Sequence, residues 1–183
     1  MDNQHGKTSN MITNKIIWLA GITDGDGCIG LHRQPFNNKV NFVPNYSIST
    51  TCKDTHEYLD VLFNELEIGH HWTYRKSNKK EWKDRWVLET RGMLRNERLL
   101  FMLVPYLVTK KNEANIVLNF IKSRLSKSKM ISYIPEELAM VEELKSIKDS
   151  RNGNIVRILR DLTPNTIIGE DKVRSNAKVL ANT

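Results

Sequence analysis

Residues Leu19 to Gly27 read LAGITDGDG, a run in which two carboxylates and three glycines share nine positions. Asp24 and Asp26 are hard oxygen donors without a lysine or arginine inside the run, so a divalent cation is one natural partner. Three readings compete. An EF-hand calcium loop needs oxygen ligands at positions one, three and five, glycine at six and glutamate at twelve. Counting from Asp24 puts Ile29 at six and Pro35 at twelve, while setting Gly27 at six puts Ile22 at one and Arg33 at twelve. Both registers fail. A plain helix end is the second reading, since glycine and aspartate are common there. It leaves Gly21 and Gly25 unexplained, because each costs about 1 kcal/mol against alanine inside a helix. The third reading offsets that cost. Glycines four apart share one helix face, and two of them let a second helix come very close. The run occurs once, so the second helix belongs to a second copy of the chain across a two-fold axis. Asp26 then lies beside its symmetry mate, and two such carboxylates repel unless cations hold them. Mg²⁺ bound through carboxylates and substrate phosphates meets that need, and metals at the attacking and leaving oxygens cleave phosphodiesters.

The rest of the chain must position this run and supply a partner for it. The 183 residues carry a formal net charge of +7 and a pI near 9.4, a balance that favours polyanions such as nucleic acid. The length suits one domain, with a tail. Cys28 and Cys52 form neither a metal-like pair nor a disulfide framework, which fits a reducing compartment. No run of about 18 apolar residues is present to span a membrane. The polar start lacks an apolar h-region, so a secretory signal is not expected. Abundant Asn, Ile and Lys suggest an AT-rich genome such as that of a mitochondrion or chloroplast.

Hydrophobic spacing gives the elements. Residues 1–11 read as a disordered arm. Thr13 is placed to cap a helix that runs to about Asp24, with Ile12 and Ile17 as a staple. Ile29 and Leu31 then alternate with Gly30, His32 and Gln34, and Tyr46, Ile48 and Thr50 alternate with Asn45, Ser47 and Ser49. The stretch from Pro35 to Pro44 between them reads as a long turn. Asp54 and Glu57 form a capping-box pattern for a second helix, and Gly69 stops it. Two more strands follow, about 70–77 and 81–90. Helices follow near 93–104, ended by Pro105, and near 111–125, and a further one starts at Pro135. The order is that of an α+β fold with antiparallel hairpins. Residues 12–150 form the domain, and residues 151–183 a partly ordered basic tail.

The second hairpin, HHWTYRKSNKKEWKDRW, interleaves aromatics with cations. Period two puts Trp82, Trp86 and Leu88 on one face and Lys83, Arg85 and Val87 on the other. Such a face is either solvated edge protection or a ribbon for the DNA major groove, where Arg and Lys read guanine. The polar faces of the first hairpin favour the second reading, because hydrogen-bonding residues suit base edges.

On these residues the chain resembles the LAGLIDADG homing endonucleases. LAGITDGDG matches their signature with Ile22 and Thr23 in place of Leu and Ile, and Gly25 in place of Ala. The order of elements and a later PYLVTKKNEANIVL segment agree with the family, and the resemblance covers roughly residues 12 to 150.

The resemblance implies an αββαββα fold with a saddle-shaped antiparallel sheet under helices. It implies a homodimer whose motif helices form the seam, through Leu19, Gly21, Ile22, Asp24 and Gly25. Asp26 would bind divalent metal, helped by the Gly25 carbonyl. Mg²⁺ is the expected cofactor, and Mn²⁺ or Ca²⁺ could occupy the same oxygens. Lys110 would order solvent around the attacking water or neutralise the phosphate. Cys52 falls where relatives often place Gln near the scissile phosphate, and a thiol is a weaker hydrogen-bonding group. The implied reaction is double-strand hydrolysis of a long, nearly palindromic DNA target with short 3′ overhangs. Base contacts are expected from His32, Gln34, Ser47, Ser49, Tyr74, Lys76, Lys83 and Arg85, and Arg151 would grip phosphate. The rival within the same fold is an intron-RNA maturase.

Overall fold

The computed structural model describes residues 4–36, 39–80, 82–127 and 132–151. The chain divides into a unit through Leu144 and a second unit from Lys145, of which residues 145–151 are described. The elements are α1 (Gln4–Asp26), β1 (Gly27–Phe36), β2 (Lys39–Thr50), α2 (Lys53–Glu65), β3 (His71–Arg75), β4 (Arg85–Arg91), α3 (Met93–Leu103), α4 (Lys111–Leu125) and α5 (Pro135–Arg151). This is the expected α+β order, with α5 running on past the boundary of the first unit.

The four strands form one antiparallel sheet in the order β1-β2-β4-β3. Its register sorts every side chain to one of two faces. Ile29 lies opposite Tyr46 and Tyr46 opposite Thr90, while Ile48 lies opposite Leu88 and Leu88 opposite Trp72. Ile29, Tyr46, Ile48, Leu88 and Thr90 are all buried under the helices. Alternation requires the intervening residues to face away, and there Cys28 lies opposite Ser47, Ser47 opposite Glu89 and Glu89 opposite His71.

The helix layer closes the core with the stripes read from spacing. Leu59, Leu62 and Phe63 of α2, Leu99, Leu100 and Leu103 of α3, and Ala114, Val117, Phe120 and Ile121 of α4 are buried. Each large apolar side chain of this kind contributes about 1.5–3 kcal/mol when withdrawn from water.

Several expected boundaries shift. The segment read as a disordered arm is helical from Gln4 onward, so Thr13 lies inside α1 and not at its start. No proline interrupts the run, and helix can extend upstream of a good cap residue. The supposed long turn from Pro35 to Pro44 is strand: Pro35 pairs with Val40, Phe36 with Lys39, and Leu31 with Pro44. Proline is tolerated at Pro44 because β2 pairs with β4 only over Asn45–Thr50. The Pro44 carbonyl instead accepts from the buried Asn96 amide at 3.1 Å, and the same nitrogen reaches the Thr90 and Gly92 carbonyls. The N-cap of α2 is Cys52, without a side-chain cap, not Asp54. In the second hairpin β4 begins only at Arg85, so Trp82 is not a core residue; it is 65% exposed, with the Lys79 ammonium 4.5 Å above its ring.

Candidate metal site and nucleic-acid face

The helix α1 passes directly into β1, with Asp26 its last residue and Gly27 the first of the strand. Gly27 permits that tight passage: a Cβ there would meet the Thr23 carbonyl oxygen at 2.7 Å and the Thr23 Cα at 2.8 Å. Thr23 is fully buried, and its hydroxyl donates to the Leu19 carbonyl at 2.6 Å and pairs with the Tyr46 hydroxyl at 2.7 Å. Burial pushes the Tyr46 phenol well above its ordinary range, so this pin between helix and sheet stays neutral.

The other two glycines of the run behave differently. A Cβ at Gly21 or Gly25 would meet nothing within 4 Å. Among the described residues, no contact offsets their helix cost. They share an exposed face with Ile17 and Trp18, which are 47% and 40% exposed. Ile22 is half-buried. Leu19, expected at the seam, is instead fully buried in the chain's own core, because it projects on the side of Ala20 and Thr23. Asp24 also turns inward, to the head of α4. Its carboxylate accepts the backbone N–H of Val108 at 2.7 Å, of Thr109 at 3.1 Å and of Lys110 at 2.9 Å, and the Thr109 hydroxyl at 3.0 Å. Burial alone would raise the Asp24 carboxyl; these bonds outweigh it and hold its pKa below the ordinary carboxylate value.

Lys110 returns the contact. Its Nζ donates to the carbonyls of Thr23 at 2.8 Å, Asp24 at 2.7 Å and Gly25 at 3.3 Å, the last carbonyls of α1. A cation there satisfies orphan acceptors and complements the negative end of the helix dipole.

Asp26 is exposed and, among the described residues, has no hydrogen-bond or ion-pair partner. The Asp26 carboxylate and the Gly25 carbonyl are hard oxygens, and that donor set fits Mg²⁺ or a similar divalent ion. One chain supplies only part of a site, since among the described residues no three His, Cys, Asp or Glu side chains gather to hold a metal. Cys52 lies at the same end of the sheet, just past the close of β2. The Thr55 hydroxyl, then its backbone N–H, lowers the pKa of the exposed Cys52 thiol.

The polar face of the sheet gathers His32 and Gln34 from β1, Ser47 and Ser49 from β2, and Arg85 from β4, as expected. It also gathers Asn45, which the alternation already puts there, and Asn41, His71, Thr73, Arg75, Glu89 and Arg91, which sequence reasoning missed. Period two would have found those on β4 and β3 once Leu88 and Trp72 were fixed as inward. Tyr74 is corrected to the opposite face. It lies across from Trp86, packs against its ring at 5.7 Å between centroids, and donates its hydroxyl to Asp84. Lys76 and Lys83 are exposed but belong to the connection between β3 and β4, not to either strand. Arg151 is the exposed last residue of α5, in the second unit.

A glycine-faced helix ending on an acid, set on a four-stranded antiparallel sheet, is the arrangement found in proteins this chain is similar to. No family model matches the chain. It is 27% identical over 141 residues to the DNA endonuclease I-CreI of Chlamydomonas reinhardtii, covering 74% of this chain and 80% of that one. The homing endonuclease I-CvuI, crystallised with its target in the presence of Ca, superposes with a TM-score of 0.61 at 25% identity, over 75% of this chain and 83% of that one. The LAGLIDADG homing endonuclease I-GzeII, crystallised with a DNA target, shares the fold at a TM-score of 0.52 and 21% identity, over 82% of this chain and 49% of that one. The chain is similar in sequence and fold to these homing endonucleases and carries the LAGITDGDG run once.

Proposed function

We propose that this chain is a site-specific homing endonuclease that acts as a homodimer. It cuts both strands of a long, nearly palindromic DNA by metal-dependent phosphodiester hydrolysis, leaving short 3′ overhangs. The observation that carries the reading is the exposed Asp26 carboxylate, at the end of a helix face whose glycines have open space above them, beside a polar sheet face. I-CreI is a DNA endonuclease and I-CvuI was crystallised on its target, which supports the substrate class. I-CreI is named as a DNA endonuclease and neither relative is named for RNA, so the maturase reading has no support and intron RNA is not retained as a partner.

In the dimer, Gly21 and Gly25 of one protomer would face the same pair in its partner and bring the two Asp26 carboxylates together. Asp26 and the Gly25 carbonyl would hold Mg²⁺, with phosphate oxygens completing the shell. Such an ion supplies an activated water and neutralises charge on the leaving oxygen. Lys110, seated on the α1 carbonyls, fixes the height of Asp26 and adds positive charge beside the phosphate. Cys52 contributes a weak polar contact near that phosphate. The sheet would enter the major groove, with His32, Gln34, Ser47, Ser49 and Arg85 toward base edges. Lys76, Lys83 and Arg151 would meet the backbone and give affinity that falls with salt.

The test is cleavage of a randomised duplex library with Mg²⁺ and with EDTA. Metal-dependent cuts at one nearly palindromic sequence are expected. Soluble dimer that cuts nothing in a library covering half-site space would overturn the proposal.

A further inference from the structure

One carboxylate stands on the face proposed to meet DNA, where an acid repels phosphate and needs a reason. Glu89 is 9% exposed at the middle of the outward row that runs from Cys28 through Ser47 to His71. Its Oε2 accepts from the Arg91 guanidinium at 2.5 Å and lies 3.2 Å from the His71 Nε2. Arg91 is two residues further along β4 on the same face, and its side chain is 54% exposed. The Glu89 charge is therefore spent within the sheet, and what reaches outward is an arginine held in place.

The surroundings of Arg91 point to a base and not to a phosphate. It lies opposite Asn45, which lies opposite Gly30, so the row toward β1 carries one short side chain and one absent one. It is the last residue of β4, paired with β2 and lying just past the end of β3, whose pairing stops at His71 opposite Glu89. A guanidinium has five N–H donors in a planar fork, so its bond to Glu89 leaves donors for a ligand. Arginine reads guanine through O6 and N7 with two parallel bonds. A free arginine loses rotamer freedom when it does so; one already braced loses less.

We propose that Arg91, braced by Glu89, reads one guanine in each half-site, with Glu89 as a positioning residue that sets specificity. The proposal rests on the DNA-binding reading above. It is tested by measuring binding of the full-length dimer to its target and to the three substitutions of every base pair. Arg91→Ala is expected to lower affinity for the target about five- to a hundredfold and to erase discrimination at one pair per half-site. Glu89→Ala is expected to weaken discrimination at that same pair, and Glu89→Gln, which keeps an acceptor, to weaken it less. Thermal melts matching wild type show that each variant is folded. An unchanged profile in Arg91→Ala overturns the proposal. So does uniform weakening with a salt slope lower by about one, the mark of a phosphate contact. So does uniform tightening in Glu89→Ala without change at any one pair. Wild-type protein that prefers no duplex sequence would instead overturn the DNA-binding reading itself.

Discussion

Asp24 and Lys110 cap each other's helices. The Asp24 carboxylate receives the N–H groups at the head of α4, and the Lys110 ammonium sits on the carbonyls at the end of α1. Each side chain satisfies backbone groups that a helix end leaves orphaned, and each meets the favourable pole of the opposite dipole. The exchange ties the end of the motif helix to an element more than eighty residues away. Asp26, two residues beyond Asp24, inherits its position from this lock.

Replacing Asp24 by Asn should therefore lower stability at neutral pH by about 1–2 kcal/mol, the range for loss of a helix cap. The Asp24 pKa is lowered in the folded chain. Its contribution is thus present above the unfolded carboxyl value, near pH 4, and is lost as pH falls through the folded value. Melting temperatures of wild type and Asp24→Asn should converge below about pH 4. A constant gap down to pH 2 would show that the carboxylate charge has no part in the cap.

The glycines separate fold from assembly. Gly21→Leu should leave the folded chain intact, because among the described residues a Cβ there meets nothing within 4 Å, yet dissociate the proposed dimer in sedimentation. Gly27→Ala should do the reverse and lower the melting temperature, because its Cβ falls 2.7 Å from the Thr23 carbonyl. An unchanged dimer in Gly21→Leu would remove the seam from this helix face.

The sheet faces make a further contrast. Arg75 and Arg85 pair on the outward face, while Tyr74 and Trp86 pair on the inward one. Arg85→Ala should lower DNA affinity and relax sequence preference, whereas Tyr74→Phe should leave both affinity and sequence preference unchanged. Loss of sequence preference in Tyr74→Phe would mean that the ring turns out to DNA.

At the start of α5, buried Glu137 receives Ser123, Arg124 and Lys127. Burial would raise its carboxyl, but these partners and the Ile134 N–H bring its pKa from 4.5 to about 2. A depressed value stabilises the fold above pH 4.5 and gives that stability up between there and about pH 2. Glu137→Gln should be less stable than wild type at pH 7 and should lose less on acidification, as read by urea unfolding across that window.

The parts legible in the sequence are those set by local period and by the motif. The face of Gly21 and Gly25 is open, as their spacing predicts, and the apolar stripe of α4 is buried, because a buried face demands a repeat. Pairing partners were not legible. Pro35 and Pro44 read as a turn because proline breaks a ladder; only the absence of β4 beside Pro44 makes it tolerable there, and that is a tertiary fact. Tyr74 was assigned outward among cations, whereas its place opposite Trp86 follows from the register of β3. Leu19 was assigned to the seam from the motif, whereas its burial follows from which side of α1 meets the sheet. The lock between Asp24 and Lys110 joins residues too distant in sequence for any periodicity to connect.

Asp26 is the residue on which the proposed cleavage depends most directly. On the target recovered from the library, single-turnover cleavage and equilibrium binding should be measured side by side for wild type and Asp26→Asn. Cleavage should vanish at every Mg²⁺ concentration while binding stays nearly intact, because the carboxylate is exposed and, among the described residues, braces nothing in the fold. Cleavage that persists in the variant, or a loss of binding as large as the loss of cleavage, would contradict the proposed role of Asp26.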